Sequence, residues 1–270
     1  DMMGKMLLID GSYCVKLDSD MLTVKSEPKL VAPCESVSEG TGFEGHGFYE
    51  ASSPRKIGDK YYLVYSSVKS HDLCYATCDT PDGDYKYGGV IISNGDVGLV
   101  PDGEALNYTG NNHGGLVEIN GTWYIFGHRQ TNQNAFSRQG IAEAVTILPD
   151  GSIPQVEVTS CGLNGGALPG TGSYEARIAC NLSSKNGTFG YVQEKSKEEG
   201  HPYFTQSGED RECDGDQYIA NMCDGAWAGF KYFDFGGERK ISVKVRGAKG
   251  VMEVRTQKNG ACVAKIELVS

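Results

Sequence analysis

The sequence predicts an all-β protein, and three observations point there. Gly supplies 37 of the 270 residues beside 15 Tyr, a composition suited to short strands joined by tight turns. One pattern occurs three times: a turn with Gly or Asn, an aromatic or apolar burst, then a second strand-like run. The bursts are Gly4–Asp10, Gly58–Ser66 and Asn120–Gly127, and the later two are followed by Cys74–Thr77 and Ile141–Ile147. Their starts lie roughly 55 to 65 residues apart, the period and content of β-propeller blades. The last hundred or so residues carry alternating apolar and polar runs of a different texture, which read as a β-sandwich.

The first burst reads as a strand, and Met2–Ile9 within it lacks the cleavage-site character of a signal peptide. The second opens on Gly58-Asp59 and runs through Tyr61-Tyr-Leu-Val-Tyr65. Ser93–Gly115 is rich in Gly, Asn and Asp and reads as a long loop leading to the third. The Gly- and Pro-dense stretch Asn164–Gly172 places a domain boundary near Gly170, giving a partial propeller over 1–170 and a jelly-roll-like sandwich over 171–270. Beyond an acidic loop, Gly208–Asp216, come the alternating runs Ala228–Phe235, Lys240–Arg246, Val251–Thr256 and Val263–Leu268. Ile241, Val243 and Val245 share one face and Ser242, Lys244 and Arg246 the other, so Lys240–Arg246 is expected to be a half-buried antiparallel strand. A propeller closes with about four or more blades. Three partial blades therefore predict a chain that begins inside a larger fold, and a sandwich that stops after Leu268 is expected to be incomplete as well.

A formal charge of −10 and a pI near 5.0 argue against nucleic-acid and anionic-membrane partners, which repel such a surface. No run approaches the ~18 apolar residues that span a bilayer. The Gly-rich segments do not sit between a strand and a helix, so no nucleotide fingerprint and no organic cofactor are expected. No Gly-x-Ser-x-Gly elbow marks a serine hydrolase. Nine cysteines are scattered along the chain, and the close pair Cys74 and Cys78 lacks the second pair or His partners of a zinc site. Four residues apart on a strand, these two face one side and are expected to be buried or half-buried thiols.

Candidate chemistry gathers before the second and third bursts. Glu50 follows Phe48 and Tyr49 and precedes Ala51, Ser52 and Ser53. A carboxyl against an apolar wall with room for a ligand is the setting of a general acid; the plain alternative is a surface Glu at a strand edge. His113 lies in Asn111-Asn-His-Gly-Gly115, where glycines permit close backbone approach and an imidazole can face a central axis toward water or a metal ion. Its alternative is a loop His bonded to backbone. His128-Arg129-Gln130 ends an apolar strand, where side chains are handed to a site; an Arg there also makes ordinary ion pairs.

Phe48–Ser67, Asn111–Gly115 and Trp123–Gln130 resemble glycoside hydrolase family 43, five-bladed propeller enzymes acting on arabinose- and xylose-containing plant polysaccharides. The tail, with Gln217–Gly225 and Phe230–Phe235, is similar to a family 6 type carbohydrate-binding module. The resemblance implies Glu50 as general acid, Arg129, His128, Phe48 and Ser52 on the sugar side, and His113 near an axial calcium or its water. It implies inverting hydrolysis of α-L-arabinofuranosyl or β-D-xylosyl linkages in cell-wall polysaccharide or oligosaccharide. Two further family acids, the Asp base among them, match neither Asp10 nor Asp18 and are expected upstream of residue 1. A second copy of the chain could complete the open propeller. The compartment stays open between secreted and cytoplasmic in a bacterium. The competing expectation is a polysaccharide-binding protein without activity, stacking sugars on Tyr203, Phe204, Tyr218, Trp227 or Tyr232, although aromatics on sandwich strands more often fill the core.

Overall fold

The structure is a computed structural model that describes residues 10–100, 103–188, 199–209, 215–238, 240–247 and 249–269. The first burst, up to residue 9, lies outside the described residues, as do Cys213 and most of the acidic loop at 208–216. The fold is all-β, as the composition predicts; its described helices are single 3₁₀ turns such as Glu35–Val37.

The strands in chain order are β1 (Gly11–Cys14), β2 (Lys29–Pro33), β3 (Phe48–Ile57), β4 (Lys60–Ser67), β5 (Leu73–Cys78), β6 (Lys86–Ile92), β7 (Gly115–Ile119), β8 (Thr122–Gln130) and β9 (Arg138–Val145). They continue as β10 (Leu168–Pro169), β11 (Asn181–Ser183), β12 (Tyr203–Ser207), β13 (Asp216–Ala220), β14 (Trp227–Gly229), β15 (Phe233–Asp234), β16 (Gly250–Arg255) and β17 (Cys262–Leu268). β3-β4-β5-β6 form a four-stranded antiparallel meander, the strand plan of a propeller blade, and β7-β8-β9 a three-stranded one. The remaining sheets are two-stranded: β1-β2, β10-β15, β11-β14, β12-β13 and β16-β17.

The turns follow local chemistry. Ile119 pairs with Thr122 across Asn120-Gly121, both of which have positive φ (51° and 82°); that is the two-residue hairpin turn Asn-Gly favours. Gly58, at φ 58°, opens the equivalent turn between Ile57 and Lys60.

β4 and β5 are apolar on both faces and buried on both. Tyr62, Val64, Leu73 and Tyr75 point into one core with Ile91, Ile92, Leu116 and Ile125, which joins the two larger sheets. Leu63, Tyr65, Cys74 and Ala76 point into a second core with Val31, Ala32, Phe43 and Tyr85. Cys74 is buried and Cys78 half-buried, both as free thiols against that second core, as their spacing predicts. A sheet covered on both faces needs continuous apolar strands, which explains the aromatic bursts.

Two compact units emerge. The first comprises residues up to Leu168 together with Tyr174–Tyr232; the second comprises Pro169–Ser173 and Phe233–Ser270. Contacts of the first unit thus run well past Gly170. In the second unit β16 and β17 form a hairpin in which Met252 faces Ile266 and Val254 faces Ala264 on a half-buried side. On the other side Glu253 pairs with Lys265 at 2.9 Å.

One expected strand does not form. Lys240–Arg246 has no ladder among its described residues, and Ile241, Val243 and Val245 are exposed. Alternation specifies which face a strand would bury, but a strand exists only where a neighbour accepts its hydrogen bonds, and among the described residues no strand pairs with this segment.

Candidate active site

Glu50 stands on β3 where the pairing with β4 breaks register on both sides: Phe48 opposes Ser67, Glu50 opposes Ser66, and the ladder resumes at Ser53 opposite Val64. Ala51 takes up the extra residues at φ 66°. Such a bulge re-aims a side chain out of the regular alternation. Here it turns the Glu50 carboxylate toward two imidazoles. His113 Nε2 lies 2.5 Å from Glu50 Oε1, and His71 Nδ1 lies 3.8 Å from the same oxygen.

Left-handed backbone marks all three converging segments: Ala51, the pair Ser70 and His71 (57° and 53°), and Asn111 (55°). Non-glycine residues held there cost free energy and concentrate at functional sites. The Gly110 N–H donates to Ser70 O at 2.9 Å, tying the His113 segment to the β4–β5 turn. Close approach of that segment requires glycine: a Cβ on Gly114 would sit 1.7 Å from Phe126 O, and one on Gly115 2.3 Å from Ser53 Oγ.

Behind this pair stands His128. Its Nε2 accepts the His113 backbone N–H at 3.1 Å, while the His128 backbone N–H donates to Asn112 Oδ1 at 3.0 Å. Burial first, then the nearby His113 and Arg138, holds the His128 imidazole down to about 4, so above that pH its Nε2 is free to accept. Burial also lowers His71, against the pull of Glu50. Beside it, burial raises the Asp72 carboxyl to about 6. The Glu50 and His113 side chains are 40% and 38% exposed, so a ligand can reach them from solvent.

The other residues named from sequence are placed differently. Arg129 is 3% exposed and does not reach the Glu50 side. Its Nε donates to Gln139 Oε1 at 2.9 Å, and Nη1 and Nη2 donate to Ala179 O and Arg177 O, each at 2.6 Å. Its guanidinium stacks 3.7 Å from the Phe204 ring centre. Adjacent residues on a strand face opposite ways, so with His128 toward His113, Arg129 turns into the protein. The same stack buries Phe204 at 1% exposure, which removes it as a sugar platform. Phe48 packs against Tyr65, ring centres 5.9 Å apart, on the second core. Ser52 Oγ is bonded to Ser12 Oγ at 2.6 Å.

One residue of the site went unnamed in the sequence: His71, whose ring lies 4.6 Å from the Tyr49 ring. Phe48 at the start of β3 opposes Ser67 at the end of β4, so the β4–β5 turn must lie at the acid's end of the sheet. A His in that turn was the available signal.

Calcium takes six to eight oxygen ligands; beside His113 Nε2 the Glu50 carboxylate supplies such oxygens, and among the described residues no three His, Cys, Asp or Glu side chains gather as a metal set. A separate open groove of about 350 Å³, lined by Glu143, Glu157, Thr159, Cys161 and Tyr232 among others, includes none of Glu50, His71 and His113.

No family model matches the chain. A xylosidase/arabinosidase of Thermoclostridium stercorarium is 51% identical over 264 residues, 95% of this chain and 55% of the relative. Among solved structures, a β-xylosidase aligns with 54% of this chain and 44% of its own at 29% identity and TM-score 0.41. A β-xylosidase/α-arabinofuranosidase from a compost microbial metagenome, solved with xylotriose in a calcium-free form, aligns with 56% of this chain and 44% of its own at 26% identity and TM-score 0.40. The chain thus spans about half the length of the first curated relative. Along almost all of its residues the chain is similar to about half of a xylosidase/arabinosidase.

Proposed function

We propose that this chain is part of a glycoside hydrolase of family 43 type, cleaving α-L-arabinofuranosyl or β-D-xylosyl linkages in plant cell-wall polysaccharide or its oligosaccharides, with Glu50 as general acid. The observation that carries the reading is the carboxylate re-aimed by a bulge in β3 into a solvent-accessible cluster with His113 and His71. The sequence relation to a xylosidase/arabinosidase supports the substrate class.

In this mechanism Glu50 gives its proton to the glycosidic oxygen as the bond to the anomeric carbon breaks, and a water adds from the opposite face. An inverting pair keeps its two carboxyls ~6.5–9.5 Å apart to admit that water. Asp18 is held by Lys25 at 2.8 Å on the surface. We assign the base instead to the portion of the protein that corresponds to the unmatched part of the longer relative. In the same reading the first unit belongs to a five-bladed propeller and the tail to a carbohydrate-binding sandwich. A second copy could cover the open blade edge if the rest of the propeller does not.

The test is release of phenol and of 4-nitrophenol from aryl arabinofuranosides and xylosides by the full-length protein and its Glu50→Gln variant. Loss of the acid is expected to lower kcat on the phenyl glycosides by ~10²–10⁴-fold and on the nitrophenyl ones by less. Equal rates in both proteins would refute the assignment. Glycan binding with no turnover in the unaltered protein would favour a binding module instead.

A further inference from the structure

We propose that His71 is a positioning residue for this acid: together with His113 it engages Glu50 Oε1, so that Oε2 is the oxygen that carries the proton to the leaving group. The inference rests on the reading of Glu50 as the general acid. Both imidazole nitrogens converge on one carboxylate oxygen, at 2.5 Å from His113 Nε2 and 3.8 Å from His71 Nδ1. A carboxyl has two oxygens, and the one beside two ring N–H groups is the poorer place for a third proton.

His71 is built for this place. It sits in left-handed backbone at φ 53°, its ring rests on Tyr49 at 4.6 Å, and its turn is tied to the His113 segment through Ser70 O. Its Nδ1 is buried without a hydrogen-bond partner, as is the Nε2 of His113, and the polar group nearest to both is Glu50 Oε1. The charged groups felt by the ring are Glu50 on β3, His113 ahead of β7 and Arg138 on β9; burial and the last two favour the neutral form, Glu50 the charged one. A neutral imidazole donates through one nitrogen only, and the nitrogen facing Glu50 is Nδ1.

The balance of the step is simple. The proton passes from Glu50 Oε2 to the glycosidic oxygen, the pair of the breaking bond stays on that oxygen, and the new carboxylate charge is met at Oε1 by the two N–H groups. The 3.8 Å contact tightens as that charge develops, as contacts at acid–base residues do between the free and the reacting enzyme. A donor to an ion gained only in the transition state raises kcat and leaves ground-state binding alone.

Three variants of the full-length protein test this on phenyl and 4-nitrophenyl glycosides. His71→Gly removes the donor and suits the left-handed backbone. His71→Asn also tolerates that backbone and carries an amide N–H near the place of Nδ1. Glu50→Gln is the reference. The Gly variant is expected to lose about 10- to 100-fold in kcat on the phenyl glycoside, far less on the nitrophenyl one, with KM little changed, and the Asn variant to recover most of the loss. If the Gly variant does not fold, His71→Gln, whose amide sits one methylene too far out, replaces it with the same expectation. Equal losses on both leaving groups, a change confined to KM, or an Asn variant no better than Gly would overturn the role of His71. An unimpaired Glu50→Gln would instead overturn the underlying assignment of the acid.

Discussion

Glu143 on β9 is a carboxyl the proposed chemistry does not use, and its burial makes the stability of the protein depend on pH. The residue is 6% exposed. Its Oε1 accepts the Thr159 N–H at 2.5 Å and its Oε2 the Thr159 hydroxyl at 2.8 Å. Burial nevertheless dominates and, with Asp96 nearby, pushes the carboxyl from 4.5 up to about 7, against those hydrogen bonds and Lys231. In the unfolded chain the group releases its proton near the ordinary value; in the native state it keeps the proton until about pH 7. Between those limits the native state holds more protons, so stability falls as pH rises through the window and is lowest above it. At ~1.4 kcal/mol per pH unit the interval amounts to ~3 kcal/mol. Glu143→Gln stays neutral throughout, and its amide can accept the Thr159 N–H at the oxygen and donate to the Thr159 hydroxyl oxygen. Urea denaturation of both proteins from pH 4 to 8 reads the difference. The Gln variant is expected to match the parent near pH 4.5, to gain steadily on it, and to lead by ~2–3 kcal/mol above pH 7. A difference that does not change across that range would refute the reasoning.

Two further outcomes follow from packing. Asp96 is 2% exposed and takes the Lys231 ammonium at 2.8 Å on Oδ2 and the Val158 N–H at 2.7 Å on Oδ1. Lys231→Met strands that carboxylate and is expected to cost ~3–5 kcal/mol near neutral pH, with much of the loss recovered by adding Asp96→Asn; equal denaturation midpoints for parent and single variant would contradict this. Gly114→Ala drives a methyl against Phe126 O and is expected to destabilise by ~1–3 kcal/mol while lowering turnover through displacement of His113; a variant with unchanged stability and kcat would show that the β7 segment yields without cost.

Local chemistry made much of the fold legible. Asn120-Gly121 and Gly58-Asp59 fixed two hairpins because few residues tolerate positive φ, and the bursts at β4 and β8 declared strands because only a sheet buried on both faces has use for such runs. Glu50 and His113 were legible as neighbours of glycine- and serine-rich breaks. Lys240–Arg246 shows the limit of that reading: its alternation is as clear as that of β17, yet pairing depends on a partner elsewhere in space.

The sequence alone determined the all-β class, two of the turns and the pair of residues at the centre of the candidate site. Only the tertiary structure decided which polar groups meet there. It turned Glu50 out of register through Ala51, brought His71 from the β4–β5 turn to its side, and sent Arg129, one residue from His128, into the interior to bond Ala179 and Arg177. Spacing along a strand fixes which residues share a face. Bulges and distant carbonyls, which no local pattern encodes, fix where that face looks.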